Sequence, residues 1–210
     1  MNTIYFDDIN SYYDLNLILN PFEIPPAEPK TNYLEIPGAD GDIDLTEALG
    51  EVKYKSRFAS AVFSVLPSDD WEQKKSEVSN LLNGQRFNIT KSSDPDWYFE
   101  GRCTVVDYKC DKFNRTITVD MHLKPYKVKK EMTVVSCDSE SQTINLYNYG
   151  KPVVPQIQLI SSATIEFDGN SWELNRGDYT LPEFVLKTGN NEVYVDTIGQ
   201  CIFSYQERSL

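Results

Sequence analysis

Histidine is almost missing from this chain: His122 is the single one in 210 residues. Catalysis built on an imidazole base would have to recruit His122 with distant partners. No GxSxG, HExxH, GxGxxG or glycine-rich phosphate-loop sequence accompanies it. Cysteine is sparse as well. Cys103, Cys110, Cys137 and Cys201 match no CxxC or zinc spacing and read as reduced, small apolar side chains. Cys103 and Cys110 are seven apart in one strand-like run, so alternation predicts opposite faces for them. Bases are in deficit: 20 Lys+Arg stand against 32 Asp+Glu, a net charge of −12. That sign disfavours a nucleic acid or an anionic membrane as partner. No apolar run approaches the ~18 residues of a membrane span. The opening MNTIYFDDINSYYDL has neither a basic start nor an unbroken apolar stretch, so no secretory signal is expected.

What is present is apolar surface and unevenly placed charge. With 40% hydrophobic and 12% aromatic residues the chain has enough to build packed cores. Residues 1–50 hold ten acids and one base, Lys30, whereas 131–210 hold eleven acids and four bases. The middle, 51–130, carries eleven acids and fifteen bases. Such asymmetry is expected either of complementary contact surfaces or of a solvated acidic face.

Most of the sequence alternates with a period of two. In RTITVDMHLK, Ile117, Val119, Met121 and Leu123 share one face while Thr116, Thr118, Asp120, His122 and Lys124 share the other. With the run from Trp97 to Cys110 and the turn DKFN, it predicts a long hairpin over about 97–124. KSRFASAVFSVL, residues 55–66, is apolar on both faces and is expected between two layers. One segment has the helical period: 69–83, with Trp71, Val78, Leu81 and Leu82 on one side, Asp69 and Glu72 as a capping box, and Gly84 as the stop. Pro21 to Lys30 holds four prolines in ten residues and reads as an extended connection, followed by two turn signals in IPGADGDIDLTEALGE. A boundary is expected near YKVKKE, giving domains 1–130 and 131–210. The second holds about eight short strand candidates and no helix signal, among them Tyr179–Leu186. That pattern predicts a small β-sandwich or jelly roll.

Candidate chemistry is thin. Asp40, Asp42 and Asp44 resemble a calcium loop, but counting from Asp40 the sixth position is Leu45 where an EF-hand needs glycine. A carboxylate pair for glycoside hydrolysis has no specificity among 32 acids. Trp172, alternating with Leu174, is expected in the sandwich core, and Trp71 on the helix face against the sheet. Tyr12, Tyr13 and Phe22 lie in the acidic, proline-interrupted start, where a core is hard to build, and are candidates for contact with another chain.

Two stretches resemble a known family. EIPGADGDIDLTEALG, followed by YKSRFASAVFSV and a helix ending LLNGQRFNIT, is similar to the N-terminal domain of distal tail (Dit) proteins of long-tailed, siphovirus-type bacteriophages and prophages. NLYNYGKPVVPQIQL, DGNSWELNRGDYTLPEF and LKTGNNEVYVDTIGQCIFSYQERSL resemble that family's terminal sandwich, in the same order. The resemblance implies a mainly β protein. An α+β N-terminal domain with a barrel-like sheet, one helix and a long hairpin precedes a C-terminal sandwich of jelly-roll or galectin-like type.

In function the resemblance implies a non-enzymatic hub at the virion tail tip, assembled in the bacterial cytoplasm as a homohexameric ring. Its partners would be other copies of itself, the tail tube protein and the tail-associated, fibre or receptor-binding proteins, with no cofactor, metal, nucleic acid or membrane insertion. Charge suggests that the acidic first 50 residues reach toward the more basic middle of the next subunit. Lys109, Lys112 and Arg115, with Tyr12, Tyr13 and Phe22, are then the subunit-contact candidates. A carbohydrate-binding adhesion module acting through the sandwich is the alternative.

Overall fold

The computed structural model describes residues 2–48, 50–66, 69–111, 114–138 and 140–210. The protein is mainly β, with a single helix among these residues, and divides into two compact units, Met1–Lys127 and Val128–Ser209.

The first unit contains β1 (Ile4–Phe6), β2 (Ile9–Asn10), β3 (Leu17–Leu19), β4 (Tyr33–Glu35), β5 (Asp42–Asp44) and β6 (Arg57–Val65). Helix α1 (Trp71–Leu82), β7 (Arg86–Lys91), β8 (Trp97–Cys110) and β9 (Arg115–Leu123) follow. The main sheet runs in the order β2-β1-β7-β8-β9-β6-β3. The amide of Leu17 donates to the carbonyl of Ser11 at 2.8 Å, so the segment after β2 meets the start of β3 and the sheet curls back on itself. Its inward positions, among them Ile4, Phe6, Leu17, Phe63, Ile89 and Ile117, are fully buried. Each such side chain contributes about 1.5–3 kcal/mol by leaving water.

Three local expectations are corrected. Strand β6 is not sandwiched between layers: Arg57, Ala59, Ala61, Phe63 and Val65 are buried, but Phe58 on the other face is 71% exposed. The helix is capped by Asp70, whose carboxylate accepts from the Gln73 amide at 2.9 Å, rather than by Asp69. The Asp69 carbonyl is instead an acceptor for Arg115 at 3.0 Å. A bulge between Val105 and Asp107 shifts the β8 register by one, pairing Cys103 with Met121 and Cys110 with Arg115. The two cysteines therefore share a face, and Cys110 is exposed because it lies beyond the core at the hairpin end.

Helix α1 buries Val78 and Leu82 against the sheet, with Lys74 on the same face one turn before Val78. The Lys74 ammonium escapes an unpaired burial by donating to the Leu15 carbonyl at 3.1 Å and to Glu77 at 2.6 Å. Arg57 holds the proline-rich segment. Its Nε donates to the Pro125 carbonyl at 2.8 Å, its Nη1 to the Pro25 carbonyl at 3.1 Å, and its guanidinium lies over the Phe99 ring.

Strand β10 (Lys127–Lys129) leads into the second unit. There, β11 (Thr133–Cys137), β12 (Gln142–Asn148), β13 (Gln156–Leu159), β14 (Ala163–Phe167) and β15 (Asn170–Leu174) precede β16 (Gly177–Thr180), β17 (Gly189–Thr197), β18 (Cys201–Tyr205) and β19 (Arg208–Ser209). Two four-stranded antiparallel sheets, β11-β18-β13-β16 and β12-β17-β14-β15, enclose one core around Phe184, Phe203, Ile165 and Val193. Trp172 packs on that core, 5.5 Å from the Phe184 ring. The strand expected over 179–186 stops at Thr180, because Pro182 offers no ladder donor. The chain then turns Phe184 inward from irregular backbone. A Cβ on Gly150 would lie 2.1 Å from the Arg208 carbonyl oxygen, so only glycine admits that close pass.

Candidate assembly surfaces

A long two-stranded arm leaves the first unit. Its base is made by Lys30 donating to the Lys53 carbonyl at 2.7 Å and Lys55 to that of Glu28 at 2.9 Å, with a bridge between Pro29 and Tyr54. Farther out the ladder resumes as β4 against β5, pairing Tyr33 with Asp44, Leu34 with Ile43 and Glu35 with Asp42. Eight extended residues from Glu28 to Glu35 span about 25 Å. Gly38 and Gly41, both at positive φ, close the tip. Asp44 fastens the end of this ladder away from the tip: its carboxylate accepts from the Thr46 amide at 2.9 Å, and the Thr46 hydroxyl accepts from the Asn32 amide at 3.1 Å. The Thr46 bonds hold the Asp44 carboxyl below its ordinary range.

This arm is wholly exposed at β4 and β5, and includes Tyr33 at 57%, Leu34 at 51% and Ile43 at 45%. Between Lys30 and Lys53 it carries Glu35, Asp40, Asp42, Asp44, Glu47 and Glu51 and no base. A two-stranded ribbon is at best marginally stable alone, and this one leaves apolar side chains exposed on both faces, Tyr33 on one and Leu34 with Ile43 on the other.

The outward face of the main sheet is the second surface. One row crosses four strands: Arg86 opposite Arg102, Arg102 opposite His122, His122 opposite Phe58. The rings of Phe58 and His122 are stacked, 4.5 Å apart and 8° from parallel. Arg102 Nη1 donates to the Gly84 carbonyl. Gly101 lets β8 close on β9 here, since a Cβ would meet Leu123 Cδ2 at 2.6 Å and the His122 carbonyl at 2.7 Å. A shallow cavity of about 170 Å³ is lined by Arg86, Arg102, His122, Glu100 and Lys124. Lys124 pairs with Glu100 at 2.5 Å.

The contact candidates named from sequence do not gather. Tyr12 and Tyr13 form an edge-to-face pair with ring centroids 5.3 Å apart in the turn between β2 and β3, and Tyr13 is 75% exposed. Phe22 packs against the first core. Lys109 is exposed beside Asp107 at 3.4 Å, and Arg115 is tied to Asp69, both at the far end of the β8–β9 hairpin. Lys112 lies outside the described residues. No sequence motif marks Phe58, Arg86, Arg102 or the Glu35–Asp42 pair. The alternation around Phe58 was visible, but the cross-strand partners depend on register.

The sandwich offers one aromatic patch. Tyr147 and Tyr149 stand on an outward face, 48% and 77% exposed, with rings 11° from parallel. Beside them Asn190 donates to Asn145 at 2.8 Å. Tyr205 donates its hydroxyl to the Tyr147 carbonyl at 2.6 Å, and burial pushes its phenol up. Among the described residues no three His, Cys, Asp or Glu side chains cluster to hold a metal, and no helix is long and apolar enough to cross a membrane.

The fold thus defined is a curled, helix-bearing β domain with a projecting ribbon, joined to a β-sandwich. The same fold is seen in the crystal structure of the SPP1 Dit (gp 19.1) protein, described as a paradigm of the hub adsorption apparatus in phages infecting Gram-positive bacteria. The two superimpose with a TM-score of 0.75 over 100% of both chains at 15% sequence identity. No family model matches the sequence. No curated protein matches it either.

Proposed function

We propose that this chain is a Dit-type hub of a phage tail tip, a structural protein that acts by assembling with copies of itself. The observation carrying this reading is the likeness to a Dit hub protein along the whole of both chains. An exposed, acidic arm that a single copy leaves uncovered supports it physically. Two unlike surfaces, a ribbon and a sheet face, make a head-to-tail contact, and such contacts close into a ring when the rotation allows. In this reading residues 1–130 build a hexameric ring. Residues 131–210 form a galectin-like or jelly-roll sandwich facing outward, and the ring joins the tail tube to the host-attachment proteins. The chain performs no catalysis; its work is binding. It belongs to the virion tail and is assembled in the host cytoplasm. Negative-stain microscopy of the purified protein tests this: a six-fold annulus is expected, and a strictly single-copy particle at high concentration overturns it.

The exposed Tyr147–Tyr149 pair beside Asn145 and Asn190 favours a second reading, in which the sandwich binds a cell-wall sugar by ring stacking and amide hydrogen bonds. Retention of the protein on cell walls, lost on Tyr149→Ala, would support it.

A further inference from the structure

Two like-charge pairs in this chain are each unfavourable alone and complementary to one another. On the arm, Glu35 and Asp42 are directly opposite across the β4–β5 ladder. On the sheet, Arg86 and Arg102 are directly opposite across β7 and β8. Directly opposed like charges destabilise a strand pair, so each site gains from an outside counter-charge. All four side chains are exposed, and none has an ion-pair partner among the described residues. Glu100, the carboxylate at the arginine cavity, is already held by Lys124.

We propose that the Glu35–Asp42 pair of one copy docks onto the Arg86–Arg102 pair of a second copy, with the ribbon strands running along the sheet strands. The spacing matches, because opposed residues on any antiparallel ladder stand about 4.5–5.5 Å apart at Cβ. Each carboxylate meets one guanidinium, whose planar fork favours two parallel hydrogen bonds. Tyr33 lies on the same ribbon face as Glu35, two residues away and so about 7 Å along the strand. With the ribbon strands aligned with β7 and β8, as that pairing requires, the same contact covers Tyr33. The arm and the row both belong to the first unit, and the contact joins different surfaces of two copies. The inference rests on the self-assembling reading and names the surface that receives the arm.

The test is the association of the full-length chain by analytical ultracentrifugation. The variants are Glu35→Lys with Asp42→Lys, Arg86→Glu with Arg102→Glu, and all four together. Each reversed pair keeps its internal repulsion; Arg102→Glu also removes the bond to the Gly84 carbonyl, and thermal unfolding of each variant reads that cost apart from association. Each double variant is expected to associate at least about tenfold more weakly, and the fourfold variant to return to within about threefold of the parent. Association of the parent with both double variants unaffected, or a fourfold variant no better than either double, overturns the docking while leaving self-assembly standing. Sensitivity confined to the arginines assigns them to another anion and equally overturns it. A parent that never associates sinks both readings.

Discussion

Phe58 lies flat on His122 on the outer face of the sheet, while Phe63, five residues along the same strand, is fully buried on the inner face. Two phenylalanines of one strand thus have opposite assignments, one to the core and one to the exposed outer face.

Replacing them separates the two roles. Phe63→Ala is expected to cost about 3–5 kcal/mol in urea unfolding. Phe58→Ala should cost the single copy no more than about 1.5 kcal/mol, the scale of a lost ring contact, while weakening self-association. Equal costs would mean that the outer face is already covered within one chain.

Arg57 anchors the proline-rich segment through the Pro25 and Pro125 carbonyls from a nearly buried position. Arg57→Ala leaves both acceptors without their donor and is expected to destabilise the first unit by about 2–4 kcal/mol. Limited proteolysis should then cut within residues 21–30 before the rest of that unit.

The β4–β5 ladder should loosen in acid at its end away from the tip. Hydrogen bonds from Thr46 lower the Asp44 carboxyl in the folded chain relative to its ordinary value of 3.8. A lowered acid contributes in full above the unfolded value and loses its contribution as pH falls through the folded one. The Thr46 amide, followed by NMR, is expected to keep its shift and protection down to about pH 4 and to lose both below it.

Thiol chemistry should single out one cysteine. Burial pushes the Cys103 and Cys201 thiols up to about 12, and Cys137 is buried, whereas Cys110 is exposed. One thiol per chain is expected to react promptly with a disulfide reagent near pH 8 and all four in denaturant, with Cys110→Ser removing the prompt one. The raised values also bear on stability. Unfolded thiols ionise from their ordinary value of 9.0, so this contribution is intact below pH 9 and is lost as pH rises toward the folded value of about 12. Unfolding titrations across that range should show the decline.

Much was written locally. The inward row Ile117, Val119, Met121 and Leu123 followed from alternation, because a strand with one wet face must repeat every second residue. The helix followed from its period and stop, although its cap moved by one residue to Asp70. The same alternation, repeated between turn signals, set the mainly β character, and no sequence motif for imidazole or metal chemistry accompanied it.

Other features needed partners distant in sequence. The ribbon at Tyr33–Glu35 and Asp42–Asp44 was read only as turns, since three-residue strands give too few residues for a period to show. The common face of Cys103 and Cys110 depends on a bulge, which one strand's sequence does not reveal without its neighbour's register. The sequence by itself determined which residues seek burial and where charge accumulates, because transfer from water and net charge are properties of side chains. Only the tertiary structure decided that Arg86 faces Arg102 and Glu35 faces Asp42, because register is settled jointly by two strands and the packing around them.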